Sequence, residues 1–137
     1  MDKKLVALMS IFMLSFGLFI IITIFNKPLS RLTKAKEEFV PSSEASLIFA
    51  WPLTAKADGE YTVSVNVFIR NTSNVPLANK QVKITSSLGL VKDIIPTTDK
   101  SGKATFALGS SSPGIAELTT TVDNQVNLKQ KISVKFE

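Results

Sequence analysis

The chain opens on an uninterrupted apolar run and then changes its hydrophobic period twice. From Leu5 to Phe25, "LVALMSIFMLSFGLFIIITIF", no charged residue occurs over 21 positions. A helix of that length, rising about 1.5 Å per residue, spans about 30 Å, the thickness of a bilayer's hydrocarbon core. The pattern predicts a transmembrane helix over residues 1–26. Lys3 and Lys4 imitate the basic start of a signal peptide, but the run outlasts the usual apolar segment of about 7 to 15 residues and no small-residue cleavage pattern follows. In "NKPLSRLTKAKEEFV" the apolar residues Leu29, Leu32, Ala35 and Phe39 recur at three to four positions, with Lys, Arg and Glu between them. That spacing predicts a short amphipathic helix with Asn26 as its N-cap and Pro28 near its first turn. Such a stalk either lays its apolar stripe on headgroups or on the domain beyond, or continues the first helix and packs against copies of itself. "VPSSEAS", Val40 to Ser46, breaks the period and reads as a linker. Stalk and linker therefore occupy 27–43, and the folded domain 44–137.

Beyond the linker the period becomes two. Tyr61, Val63, Val65, Val67 and Ile69 alternate with Thr62, Ser64, Asn66, Phe68 and Arg70, one row for a core and one for solvent. Shorter alternations follow at Val82 and Ile84, at Ala104 to Leu108, at Ala116 to Val122, and through Leu128, Ile132, Val134 and Phe136. With "SLIFAW" and "GLVKDII" these make about seven short strands, separated by turn formers such as "ADGE", "NTSNVPLANK", "SGK", "SSSPG" and "DNQ". The fold class is all-β: an immunoglobulin-like β-sandwich preceded by a transmembrane α-helix and a short amphipathic stalk.

Composition narrows the chemistry. The chain holds no cysteine and no histidine, which removes thiolate sites, a lipidated Cys anchor, the commonest zinc ligand and the commonest general base. A serine nucleophile would need a lysine base, and only Ser30 with Lys34, in the stalk, approaches the spacing. We therefore expect no catalytic residue, no cofactor and no enzyme. The net charge of +5 is shared along the chain and argues for no nucleic-acid partner. Asp58, Glu60, Asp93, Asp99 and Asp123 sit near loop ends, where carboxylates are ordinarily solvated caps rather than calcium ligands.

The segment "TTDKSGKATFAL" poses the sharpest choice, between a loop that grips phosphate or metal and a turn. A phosphate loop needs a longer glycine frame, a hydroxyl residue after Gly-Lys and a helix; here Ala104 follows Lys103 and a strand comes next. A calcium loop needs more oxygens than Asp99 supplies. A turn needs only Asp99 to bond the backbone and Gly102 to take a left-handed conformation. Trp51 and Tyr61 offer an aromatic platform for a sugar, but tryptophan is more often half buried, and we expect packing in the core or against the stalk. Asn71-Thr72-Ser73 forms a glycosylation sequon in a loop expected to be exposed.

"ADGEYTVSVNVFIRNTSNVPLANKQVKITS", followed by "TTDKSGKATFALGSSSPGIAELTTTV", resembles the bacterial immunoglobulin-like domains of the invasin and intimin type (Big_1). The matching positions are Ala57, Asp58 and Gly59; Pro76, Leu77 and Val82; Thr98, Asp99, Gly102 and Ala104; and Gly114, Ala116 and Leu118. These are turn and core positions, with Asp58, Gly59, Asp99, Gly102 and Gly114 the structural turns. "RNTSNVP" departs from the family's usual turn, and the family's tandem copies are replaced by one copy behind one helix. The resemblance implies a surface module, although Lys27, Arg31, Lys34 and Lys36 outnumber Lys3 and Lys4 and by the positive-inside rule would put the sandwich in the cytoplasm. We follow the family and expect a single-pass membrane protein with its C-terminal domain extracytoplasmic and a structural or adhesive role. Its expected partners are membrane lipid and a protein or a second copy, with no small-molecule substrate. Two alternatives stand beside it. One is a surface-filament subunit with bundled helices, which Gly17 and Ile22 do not match to the usual processing pattern. The other is an accessory subunit of a membrane complex, with Ala7, Ser10, Ser15 and Gly17 as a close-packing face.

Overall fold

The computed structural model describes residues 2–137, with backbone alone at positions 26–37. The chain divides into two units, Met1–Glu37 and Glu38–Glu137. One helix, α1, covers Lys3–Glu38. Its portion Lys3–Phe25, 23 residues, is long and apolar enough to cross a membrane. The hydroxyl side chains there are satisfied within the helix: those of Ser10, Ser15 and Thr23 donate to the carbonyls of Val6, Phe12 and Phe19 at 2.9, 3.0 and 2.7 Å. An apolar solvent would leave those hydroxyls no other partner. The second helix start expected at Asn26 is absent, because α1 runs through that position without a break and needs no cap there. The stripe of Leu29, Leu32 and Ala35, and the pair Ser30 and Lys34, lie outside the described side chains.

The second unit is a two-sheet sandwich of nine strands: β1 (Leu47–Trp51), β2 (Thr54–Ala55), β3 (Thr62–Phe68), β4 (Val82–Ser86), β5 (Leu90–Ile95), β6 (Lys103–Gly109), β7 (Gly114–Val122), β8 (Val126–Asn127) and β9 (Ile132–Phe136). One sheet runs β1-β3-β6-β5; the other runs β2-β9-β7-β4, with β8 beside β7. Nine strands stand where about seven were expected. The additional two have only two residues each: β2 runs parallel to β9 and β8 antiparallel to β7. A two-residue bridge carries no alternation, so nothing in the pattern announces it. Leu128 is not part of the last strand; it precedes β9, is buried, and donates its N–H to the Thr120 carbonyl at 2.9 Å.

Val63, Val65, Val67, Ile69, Phe106 and Leu108 face Leu118, Val122, Val134 and Phe136, all 0 or 1% exposed. Each such side chain contributes roughly 1.5 to 3 kcal/mol relative to exposure, so the core needs no disulfide. The alternation of β3 and β6 between buried and more accessible positions follows from the strand period. Tyr61, read as the first core residue of that row, lies just outside β3 and is half exposed.

Val40–Ser46 is a docked segment rather than a free linker. The Ser42 N–H donates to the Arg70 carbonyl at 2.7 Å and the Lys129 N–H to the Ser43 carbonyl at 3.0 Å. The Ser43 hydroxyl donates to the Asn127 carbonyl at 2.6 Å, and buried Ser46 exchanges hydrogen bonds with the Arg70 backbone. Serines that look like spacer in sequence are here the polar groups that fix the segment.

Candidate interaction surface

The sandwich has turns at two ends, and each is closed by an aspartate and a glycine. At one end, Asp58 Oδ1 accepts from the N–H groups of Tyr61 and Glu60 at 2.8 and 3.0 Å. Those donors, Tyr61 first, hold the Asp58 carboxyl below its ordinary pKa. Gly59 follows at φ 77° and donates its N–H to the Ser110 carbonyl. Gly114 opens β7 at the same end with φ 149°, against Leu88. Gly89 in the β4–β5 turn, which the sequence reading passed over, has φ 78° and packs on the Gly109 carbonyl; its only signal was a glycine between two leucines.

At the other end Asp99 Oδ1 accepts three hydrogen bonds, from the Ser101 hydroxyl at 2.6 Å, the Ser101 N–H at 2.8 Å and the Lys103 N–H at 3.1 Å. The Ser101 hydroxyl, then the Lys103 N–H, lowers the Asp99 pKa. Gly102 sits at φ 74°, and an added Cβ would come 2.5 Å from the Ile69 carbonyl oxygen. Both carboxylates are thus occupied in closing turns. Among the described residues no three His, Cys, Asp or Glu side chains gather as a metal site.

Two exposure expectations are corrected. Asn71 is only 2% exposed: its Oδ1 accepts from the Val75 N–H at 2.9 Å and its Nδ2 donates to the Glu38 carbonyl at 3.1 Å. The nitrogen a glycan would need is inside the fold and engaged. Trp51 moves the opposite way. It is 77% exposed, because Ile48 and Ala50 take the inward positions of β1 and the strand period turns Phe49 and Trp51 outward.

That outward turn defines a surface. On the outer face of the β1-β3-β6-β5 sheet the pairings place Trp51, Ser64, Ala107 and Lys92 in one row, and Phe49, Asn66, Thr105 and Ile95 in the next. In these two rows the central strands β3 and β6 carry small or short polar side chains, whereas the edge strands carry the tall ones; Phe68 and Lys103 follow one row further on. The face is therefore low in the middle, with Trp51 and Phe49 on one rim and Leu90 and Lys92 on the other. A shallow depression of about 300 Å³ beside the second rim is lined by Thr62, Leu90, Lys92, Ala107 and Ser110 among others. Phe49 is braced edge-on by Phe68, with ring centroids 5.9 Å apart. Strand β5 is exposed along nearly its whole length and bulges between Asp93 and Ile95.

Residues 49–137 match the bacterial Ig-like domain (group 1), Big_1. The chain belongs to the Big_1 family. Among solved structures, the Big_1 sandwich is similar to the Yersinia pseudotuberculosis adhesin InvE, with 28% identity and a TM-score of 0.64 over 72% of this chain and 28% of that one. It is similar also to the D0-D1 domain of intimin, with 26% identity and a TM-score of 0.60 over 72% of this chain and 49% of that one. A C-terminal intimin fragment in complex with the intimin-binding domain of the translocated intimin receptor gives 25% identity and a TM-score of 0.58 over 71% and 33%. The chain thus spans less than half the length of each of these structures. No curated protein matches it in sequence. These relationships make the Big_1 unit a module of the kind found in cell-surface adhesins.

Proposed function

We propose that the chain is a single-pass membrane protein that displays one Big_1 sandwich outside the cell, as a structural or adhesive module without catalytic activity. The observation that carries this reading is the union, in one chain, of an apolar helix of 23 residues long enough to cross a membrane with a sandwich of the adhesin type. Lys3–Phe25 takes lipid as its partner. A protein partner, or a second copy, meets the sandwich along β5, whose one paired edge leaves the other open and whose Leu90, Ile94 and Ile95 are 83, 51 and 54% exposed. Unpaired strand edges accept added strands, and the bulge limits how long such a pairing grows. The intimin fragment solved with its receptor is a precedent for a protein partner among similar structures.

The lack of cysteine gives a direct test of topology. A single cysteine at Thr72, in an exposed loop, is labelled on intact cells by a membrane-impermeant maleimide if the sandwich is outside. Labelling only after lysis overturns the extracytoplasmic placement.

One observation favours a second reading, in which the helices bundle as the core of a surface filament. α1 is a single helix of 36 residues, about 54 Å at 1.5 Å per residue, well beyond a hydrocarbon core of about 30 Å. Mechanical shearing separates the two readings: fibres that retain Leu5–Phe25 make the protein a filament subunit, and recovery only in detergent-soluble membranes makes it an anchored module.

A further inference from the structure

The trough on the outer face of the β1-β3-β6-β5 sheet has a chemistry of its own. Trp51, the only tryptophan in the chain, stands 77% exposed on one rim. Across the sheet, in the same row, lies Lys92, and between them the floor is Ser64 and Ala107. The rims belong to strands three spacings apart, about 14 Å. Hydroxyl and amide groups of Thr62, Ser64, Asn66 and Thr105 line that floor; Thr105 Oγ1 already bonds Asn66 Oδ1 at 3.2 Å. Among the described residues, the ionisable side chains that the strand period directs to this face are Lys92 and Lys103; Lys103 has the Asp99 carboxylate beside it, whereas the strand period directs no carboxylate to the face beside Lys92.

Each feature selects against an alternative occupant. A peptide strand gains its affinity from main-chain hydrogen bonds, but β3 and β6 are paired on both sides and offer none on their face. A large apolar protein surface would be met by hydroxyls rather than by leucines on the floor. A polymer of flat, hydroxyl-rich rings fits both parts: ring C–H groups stack on the indole, and ring hydroxyls bond the floor. Lys92, with no carboxylate beside it on the face, adds a preference for negative charge.

We propose that this face binds an acidic polysaccharide, a chain of pyranose rings bearing carboxylates, with one ring on Trp51 and a carboxylate at Lys92. This deepens the adhesive reading by naming a ligand class beside any protein partner, and it rests on that reading only for access to the ligand. The binding test uses purified protein, so a failure of topology and a failure of the site are read separately.

The test is affinity electrophoresis of the full-length protein in mild detergent, through native gels containing polygalacturonate, with fully methyl-esterified pectin as the uncharged counterpart. We expect retardation by polygalacturonate and little by the ester. Trp51→Ala and Lys92→Glu each weaken retention about tenfold, or about 1.4 kcal/mol, and Trp51→Phe restores part of it. Lys83→Glu, on exposed β4 surface of the other sheet, leaves retention within about twofold. The absence of retardation overturns the proposal. So does equal retention by the ester, an unaffected Trp51→Ala variant, or a Lys83→Glu loss equal to that of Lys92→Glu, which would mark diffuse attraction to a basic protein.

Discussion

Replacing Gly102 by alanine puts a methyl group where the fold has left none. At φ 74° the new Cβ would lie 2.5 Å from the Ile69 carbonyl oxygen and 3.2 Å from the Leu77 nitrogen. The left-handed conformation alone costs an L-residue about 1 to 2 kcal/mol. The Ile69 carbonyl cannot retreat freely, since it accepts from Leu77 N–H at 2.9 Å while Ile69 N–H donates to the Gly102 carbonyl at 2.8 Å. Disturbing one of these buried bonds adds about 1 to 3 kcal/mol. The sum, about 2 to 5 kcal/mol, is a large share of the 5 to 15 kcal/mol typical of a domain, and corresponds to a fall in Tm of roughly 10 to 25 °C. Gly59→Ala is the matched control: φ is 77°, but the nearest atom would be Ser111 Cβ at an ordinary 3.5 Å, so only the conformational part, about 1 to 2 kcal/mol, applies. Differential scanning calorimetry of the two full-length variants in detergent reads the difference. Equal shifts for both would refute the argument that close approach to Ile69, and not conformation alone, demands glycine at 102.

Three other outcomes follow from the same geometry. Thr120 is 1% exposed and its hydroxyl has no partner among the described residues; Thr120→Val should raise stability by about 1 kcal/mol, seen as a higher denaturation midpoint with unchanged slope. The Asp58 and Asp99 pKa values are lowered in the fold, so their stabilisation is present above the unfolded value of about 3.9 and is lost as pH falls through the lower folded values. The double variant Asp58→Asn, Asp99→Asn should therefore show a flatter stability curve than the parent below about pH 4, and an unchanged curve would count against the turn bonds. Asn71→Ala should cost about 1 to 3 kcal/mol by removing both its bonds, and protein from a glycosylating host should show no mass change on glycosidase treatment.

The strands with clean alternation were legible because burial on one face leaves a period of two: Val63, Val65, Val67 and Ile69 are all 0% exposed. Trp51 was misread for a related reason. "SLIFAW" is apolar at nearly every position, so the sequence offers no polar row to show which residues face out, and only pairing with β3 fixes the parity. Asn71 and Val40–Ser46 were misread because polar residues are ambiguous: a serine or asparagine signals a loop, yet the same groups satisfy buried backbone once tertiary partners arrive. The floor of the trough could not be seen at all, since Trp51 and Lys92 lie 41 positions apart in sequence and meet in one row only through two intervening strands.

The docking of Val40–Ser46 has a mechanical consequence. If the sandwich is anchored through α1 and holds a cell to a partner, as proposed, a pull entering at Glu38 would reach Ser42 and Ser43 before it reaches β1. Ser42 is bonded to Arg70, just beyond β3, and Ser43 to Asn127 in β8 and to Lys129 after it. Such a load would be shared at its point of entry between residues that flank the two sheets, rather than falling first on β1 alone.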